Sequence, residues 1–338
     1  MKPIPATLIE GDGVGPEIMA ATLEALDALG APFRWDRQQA GAAAVEKHGD
    51  ALPEPVLASI RQTRLALKAP LNTPIGAGFR SANVRLREIF NLYANVRPAR
   101  SLYRGGRFED IDLVLLRENT EGLYVGVEHF VPIAGDPKAV AEASGIITRF
   151  GCRRFADFGF RYALDHGRRK VTIVHKANIL KTLTGLFLET AMEIGQRYRD
   201  RLEIEDRIVD NCAMQLVLDP SQFDLLLTTN MFGDILSEEI AGLVGGLGLA
   251  ASGNIGDDAA IFEAVHGSAP DIAGRGVANP CGLMLAATMM LEHVGEHAQG
   301  KRLRQVIGDT LQAGVRTPDL GGDANTRQFT AEIVRRLR

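Results

Sequence analysis

Three arginines sit in short polar blocks framed by apolar residues. They are Arg87 in Phe79-Arg-Ser81-Ala-Asn83-Val-Arg85-Leu-Arg87, Arg97 in Tyr93-Ala-Asn-Val-Arg97-Pro98, and Arg117 in Leu116-Arg117-Glu-Asn119-Thr-Glu121-Gly-Leu-Tyr124. On a helix starting near Ser81, Asn83 and Arg87 stand one turn apart on a single face. Arg97 and Arg117 are expected at the ends of apolar strands, where a side chain can enter a cleft. Any one of these arginines alone reads as solvated surface. Three in one place would repel one another unless an anion filled the space between them, and the planar guanidinium fork suits carboxylates. The pattern predicts a polycarboxylate pocket.

Two further blocks carry acid–base and metal chemistry. In Val174-His175-Lys176-Ala177-Asn178 an apolar strand runs into a helix. A lysine at the end of a buried strand either snorkels or works, and desolvation beside arginines would lower its pKa toward that of a base. Asp210, Asp234 and Glu238 form the second block, within Val209-Asp210-Asn211 and Thr229-Asn230-Met-Phe-Gly233-Asp234-Ile-Leu-Ser-Glu238-Glu239. Asp234 and Glu238 are i,i+4 at an expected helix start, so both carboxylates share a face. With Asp210 they make an all-oxygen set suited to Mg²⁺ or Mn²⁺. The plainer reading of Asp234 is a charge favoured by the helix dipole.

The elements that must hold these groups alternate in type. Ala6–Glu10, Leu65–Lys68, Asp112–Leu116, Lys170–Val174 and Phe223–Thr228 read as buried strands. Ile179–Tyr198, Asp234–Val244, Leu283–Val294 and Arg327–Arg338 read as helices, as does the run through Ile18, Leu23, Leu26 and Leu29. Such alternation predicts an α/β fold with a mostly parallel sheet. Gly126–Asp136 has a different texture and predicts a protruding hairpin.

Glycine is in excess, with 36 among 338 residues, and it clusters. Gly11-Asp-Gly13-Val-Gly15 follows a strand and opens a helix, but the third glycine of a dinucleotide fingerprint would fall at Pro16. A turn that lets the backbone pass close to a ligand is the better reading. The later run, from Gly245 to Gly256 and through Glu263-Ala-Val-His266-Gly-Ser-Ala-Pro-Asp271-Ile272-Ala-Gly274 to Asn279, suits backbone approach to a phosphate or an adenine. His266 alone would read as a core residue; inside this loop it reads as a cofactor contact.

A net charge of −4 argues against a general polyanion binder, and the basic Arg335–Arg338 reads as helix C-terminal charge, so no nucleic-acid partner is expected. The start of the chain meets Glu10 and Asp12 before any long apolar run, unlike a signal peptide, and no stretch is long enough to span a membrane. Cys152, Cys212 and Cys281 lack metal spacing and read as reduced thiols. A cytoplasmic location is expected, or the mitochondrial matrix if a presequence has been removed.

Together these blocks resemble the β-decarboxylating dehydrogenases that act on (2R)-malate derivatives, the isocitrate/isopropylmalate dehydrogenase family. The similarity runs from Leu8 to the C-terminus and is most specific in Asn230–Glu238 and His266–Gly274. It implies a non-Rossmann α/β fold. A large cofactor-side domain would come from residues 1–95 and 246–338, and a smaller one from 96–245 with an arm at about 122–142. A homodimer with shared active sites is implied too.

Carried over residue by residue, Arg87, Arg97 and Arg117 resemble the malate-carboxylate clamp. Tyr124 resembles the proton donor, and Lys176 the base reaching in from the partner subunit, with Asn178 beside it. Asp234 and Glu238 resemble metal ligands of one subunit and Asp210 that of the other; where the family often has Asp, this chain has Glu238. Thr73, Asn83, Glu263, His266, Gly267, Ala269, Asp271, Ile272 and Asn279 fall at cofactor positions. NADP-using isocitrate dehydrogenases carry Lys-Tyr where this chain has Asp271-Ile272. A carboxylate there can bond ribose hydroxyls and would repel a 2′-phosphate, which predicts NAD. Ser81 and Asn83 resemble the residues by which isocitrate enzymes contact the third carboxylate, so a tricarboxylate is the expected substrate. Ile208–Val217 and Arg316–Asn325 look closer to homoisocitrate dehydrogenases. 3-Isopropylmalate is a further alternative, as is a non-catalytic regulatory subunit.

Overall fold

The computed structural model describes residues 3–72 and 81–338. Its strands, in chain order, are β1 (Ile4–Ile9), β2 (Phe33–Gln38), β3 (Leu65–Lys68), β4 (Ala94–Arg100), β5 (Asp112–Glu118), β6 (Gly122–Ile133), β7 (Asp136–Ile146), β8 (Lys170–His175), β9 (Glu203–Ile208), β10 (Leu225–Thr228), β11 (Ala251–Ile255) and β12 (Ala260–Ala264). The fold is α/β, with long helices between most of these strands. The chain divides into two compact units, one of Met1–Leu92, Arg97–Ile111 and Ala241–Arg338, the other of Tyr93–Val96 and Asp112–Ile240.

In the first unit the strands run in the order β2-β1-β3-β12-β11. β1 is parallel to β2 and β3, β12 is parallel to β3, and β11 is antiparallel to β12. The register sets Glu263 opposite Lys68. Helix Cys281–His293 is buried on nearly every side, as its apolar composition requires, and it packs with Leu8, Ile18, Phe262, Leu303 and Phe329 in the core of this unit.

The early glycine cluster serves packing. Gly13 has φ +62°, and a Cβ there would fall 2.0 Å from the Ser268 carbonyl oxygen. The next amide, Val14 N–H, donates to that same carbonyl at 2.8 Å. The close approach anticipated at Gly11–Gly15 is therefore to the chain's own backbone: this loop props the later loop that carries His266. Asp12 ties the same region together, accepting from the amides of Ala42 at 3.0 Å and Asn72 at 2.7 Å.

The second unit holds β5-β10-β8-β9, parallel throughout. Leu225, Leu226 and Leu227 are fully buried, a continuous apolar run as expected of a parallel strand covered on both faces. Arg168 fastens one end of this sheet. It donates to Asp112 Oδ1 at 2.6 Å and Asp224 Oδ1 at 2.9 Å, while Asp224 Oδ2 accepts from the Arg169 and Lys170 amides. β6 and β7 form a separate antiparallel hairpin whose residues are mostly exposed, running to Ile146 rather than to about 142.

Some boundaries differ from the sequence expectation. Pro98 cannot donate to a ladder and reads as a stop, yet β4 continues to Arg100, so Arg97 lies mid-strand. Helix Asn230–Leu243 begins four residues before Asp234, and Gly233, which resembles a boundary, lies inside it. The reason is steric: a Cβ on Gly233 would come 2.7 Å from both Cβ and Cγ of Arg117. The helix expected from Ile179 begins at Leu183, because the Ile179 and Leu180 amides close a turn onto the Lys176 carbonyl. All three cysteines are free and buried, and no helix among the described residues is long and apolar enough to cross a membrane.

Candidate active site

In the first unit, Asn83, Arg87 and Arg97 line a cavity with Lys68, Ser252, Glu263, His266 and Gly267. Ser81 caps helix Ala82–Ile89, its hydroxyl accepting from Val84 N–H at 3.5 Å, which places Asn83 and Arg87 a turn apart. Lys68 ends an all-buried strand and pairs with Glu263 at 2.6 Å. Asn254 donates to the same carboxylate at 2.7 Å. Burial alone would raise the Glu263 carboxyl, but the Lys68 and Arg87 charges outweigh it and, with the Lys68 and Asn254 hydrogen bonds, hold it at about 2. Three cations against one carboxylate leave the cavity positive, as an anion site requires.

Two buried polar atoms facing this cavity have no partner among the described residues, Asn83 Oδ1 and His266 Nε2. The tautomer of His266 follows from its contact. Nδ1 lies 2.9 Å from the Gly267 carbonyl, which only accepts, so Nδ1 carries a proton. Asn83 Oδ1 is an acceptor, and nicotinamide, adenine and ribose all carry N–H or O–H groups that such a polar lining can meet. The donor set fits a dinucleotide.

The rest of that loop is built to hold its shape. Ala269 has φ +40°, a strained value for a residue with a side chain and more common at functional sites. Asp271 is exposed and Ile272 half-buried beside it. Asn279 is held at both ends: its Nδ2 donates to Asp319 at 2.9 Å, and its Oδ1 accepts from Cys281 N–H at 2.9 Å. Thr73 lies outside the described residues.

The second unit carries the candidate acid–base groups. Arg117 is 1% exposed; its Nε donates to Asn230 Oδ1 at 2.9 Å, its Nη1 to Asp234 Oδ1, and its guanidinium stacks 5.2 Å from the Tyr124 ring centre. Tyr124 Oη donates to Asp234 Oδ2 at 2.6 Å. Each Asp234 oxygen keeps lone-pair capacity, so the carboxylate can still accept a cation. Glu238 lies one turn along the same helix and is exposed.

Lys176 follows β8. His175 shapes its turn: Nδ1 accepts from Ala177 N–H at 3.0 Å, which leaves Nε2–H to donate to Asp206 at 3.0 Å. The Lys176 ammonium pairs with Asp210, in the first turn of helix Val209–Leu218, and that hydrogen bond holds the Asp210 carboxyl below its usual range. Asn178 is exposed in the turn beyond. Among the described residues, no three histidine, cysteine or carboxylate side chains of one chain gather as a metal site.

The structure thus brings Asn83, Arg87, Arg97, Glu263, His266 and Gly267 together in one unit, and Arg117, Tyr124 and Asp234 in the other. Lys68, Asn230 and Asp319 escaped the sequence reading. Lys68 carried a signal: it ends Leu65–Lys68 as Lys176 follows an equally apolar strand.

Comparison with known proteins gives the family. The family profile described as Isocitrate/isopropylmalate dehydrogenase matches residues 6–334. The chain is 45% identical over 339 residues to the mitochondrial isocitrate dehydrogenase [NAD] catalytic subunit 5 of Arabidopsis thaliana, covering 99% of this chain and 89% of that one. It is 45% identical over 333 residues to the isocitrate/homoisocitrate dehydrogenase of Thermus thermophilus, covering 98% of each. Relatives called regulatory subunits occur at similar identity. The crystal structure of isocitrate dehydrogenase from Methylococcus capsulatus superposes with a TM-score of 0.95 at 51% identity, covering all of both chains. The α/β fold is shared with that structure, and the chain belongs to the isocitrate/isopropylmalate dehydrogenase family.

Proposed function

We propose that the protein is an NAD- and divalent-metal-dependent dehydrogenase that oxidises and decarboxylates isocitrate to 2-oxoglutarate and CO₂. The observation that carries this reading is the positive cavity of Arg87, Arg97 and Lys68, with Ser81 and Asn83 on the helix beside it. Arg87, Arg97 and Arg117 would take the malate carboxylates, and the Ser81 hydroxyl and Asn83 amide the third. An apolar arm, as in 3-isopropylmalate, would strand these polar groups without partners.

Asp234 and Glu238 of one subunit and Asp210 of its partner would hold Mg²⁺ or Mn²⁺. NAD would lie along Asn83, Glu263, His266, Gly267, Ala269, Asp271, Ile272 and Asn279, with Thr73 near it. When bound, the cation polarises the substrate oxygens and NAD accepts a hydride. Lys176, released from Asp210, takes the proton of the C2 hydroxyl; Asn178 orients the substrate beside it. Tyr124 protonates the carbon left by CO₂. Asp271 favours the free ribose hydroxyls of NAD over a 2′-phosphate.

The enzyme is read as a homodimer with shared sites, resident in the cytoplasm or, if processed, in the mitochondrial matrix. Homoisocitrate is the second reading, favoured by the likeness to the Thermus enzyme. A regulatory subunit is disfavoured because Tyr124, Lys176, Asp210 and Asp234 are all present. The test is reduction of NAD and NADP by the chain expressed alone, with each purified acid and Mg²⁺ or Mn²⁺. The highest kcat/KM is expected with isocitrate and NAD, and none after chelation. Turnover of 3-isopropylmalate without isocitrate, or preference for NADP, overturns the assignment.

A further inference from the structure

Asn230 touches two parts of the proposed acid–base cluster at once. It is 1% exposed and opens helix Asn230–Leu243. Its Oδ1 accepts from Arg117 Nε at 2.9 Å. Its Nδ2 donates to the Glu121 backbone carbonyl at 3.1 Å. Glu121 belongs to the turn that delivers Tyr124, three residues later, to Asp234. That turn is also gripped from within: the Glu118 carboxylate accepts from Thr120 N–H, Thr120 Oγ1 and Glu121 N–H at 2.7–2.9 Å. The Asn230 amide ties helix Asn230–Leu243 to the turn's backbone. The same helix carries Asp234, so this side chain links the turn that bears Tyr124 to the helix whose carboxylate the tyrosine hydroxyl meets.

We propose that Asn230 is a positioning residue for proton delivery by Tyr124, acting through the Glu121 carbonyl and separately through Arg117. This rests on the reading of Tyr124 as the acid. In the step it serves, the Tyr124 O–H bond breaks and a C–H bond forms at the enolate carbon left by CO₂. The enolate electron pair supplies that bond, the product is the 2-oxo acid, and solvent returns a proton to the tyrosinate. A displacement of about 1 Å at such a group can cost on the order of a hundredfold in rate.

Asparagine and aspartate differ here in donor capacity and in charge, and the added charge faces the Arg117 guanidinium. Asn230→Asp keeps an acceptor for Arg117 but loses the donor to Glu121, while Asn230→Ala loses both. The readout is deuterium exchange at the carbon beside the keto group of 2-oxoglutarate, followed by NMR in D₂O with the holoenzyme. This exchange uses the Tyr124 step and no hydride transfer. Substrate affinity is measured by calorimetry, and reduction of the β-keto acid by NADH gives the hydride step.

For Asn230→Asp we expect exchange slowed about tenfold or more, with affinity and the hydride step within about twofold. For Asn230→Ala, weaker substrate binding should be added, because Arg117 is also released. Wild-type exchange in a folded Asn230→Asp protein overturns the proposal. So does equal loss in every readout, or failure of both variants to fold, since each marks a merely structural residue. Tyr124→Phe is the control for the underlying reading: if it leaves exchange intact, Tyr124 is not the acid and that reading fails first.

Discussion

Glu263 is a carboxylate inside the protein that keeps its charge because Lys68 and Arg87 face it. Replacing Lys68 by methionine preserves the volume and removes the nearer cation. At neutral pH we expect a loss of about 3 kcal/mol in unfolding free energy, the usual cost of stranding one member of a buried pair. The sign of the pH dependence follows from the folded carboxyl standing at about 2 against an ordinary 4.5. A depressed folded value stabilises above the unfolded pKa, and that stability drains away as pH falls toward the folded one. The gap between wild type and Lys68→Met, read from urea unfolding, should therefore narrow as pH falls from about 4.5 toward about 2. A gap independent of pH would show that the charge pair is not its source. This pair was only half legible in the sequence. Lys68 ends a visibly apolar strand, but nothing local marks Glu263 as its neighbour, since 195 positions separate them and only the β3–β12 register joins them. Lys176 stood out for a different reason, since its block interrupts an apolar run, whereas the role of Tyr124 is one that the family resemblance implies.

At the scale of elements, strands were the easier part. Asp112–Leu116 and Phe223–Thr228 announce themselves through the apolar runs Leu113–Leu116 and Leu225–Leu227, and the strands are Asp112–Glu118 and Leu225–Thr228. Helix ends were harder, because what extends or shortens them is tertiary. Helix Asn230–Leu243 runs through a glycine that exists to let the stem of Arg117 pass. The Arg168 fastening was invisible for the same reason, its partners being 56 residues away on either side. Arg168 is 9% exposed in its side chain and holds the start of β5 and the segment before β10 to the entry of β8. Arg168→Ala leaves two carboxylates facing one another without their cation. Asp112 is half exposed, so water offsets part of the loss, and we expect about 2 kcal/mol of destabilisation. Chemical denaturation measures it directly. Because the arginine lies at the far end of these strands from Arg117, KM for isocitrate should stay within about twofold; a large change in KM with little change in stability would mean the sheet end is coupled to the cluster.

The whole molecule raises a question that neither residues nor elements answer, namely what covers the second unit. Among the described residues the β6–β7 hairpin has no third strand, and a lone hairpin is marginal in water. It nonetheless exposes Phe130 at 53% and Ile133 at 55%, and elsewhere in this unit Ile179, Leu218 and Ile235 are each more than 60% exposed. Apolar surface on that scale calls for a partner, and the proposed homodimer supplies one. The composition gave no hint of this, because buried and interface apolar residues count alike in it. Sharing of sites makes a sharper claim than dimerisation alone. If Tyr124 of one subunit works with Lys176 of the other, Tyr124→Phe and Lys176→Ala are each nearly inactive, yet a mixed dimer has one site that carries both lesions and one that carries neither. Equal mixing by joint refolding or co-expression would then restore about a quarter of the wild-type sites, by the statistics of two-fold pairing. If each subunit instead used its own Tyr124 and Lys176, every site in the mixture would carry a lesion and no activity would return. The assay is NAD reduction by the mixture at fixed total protein, with light scattering to confirm that both variants still pair.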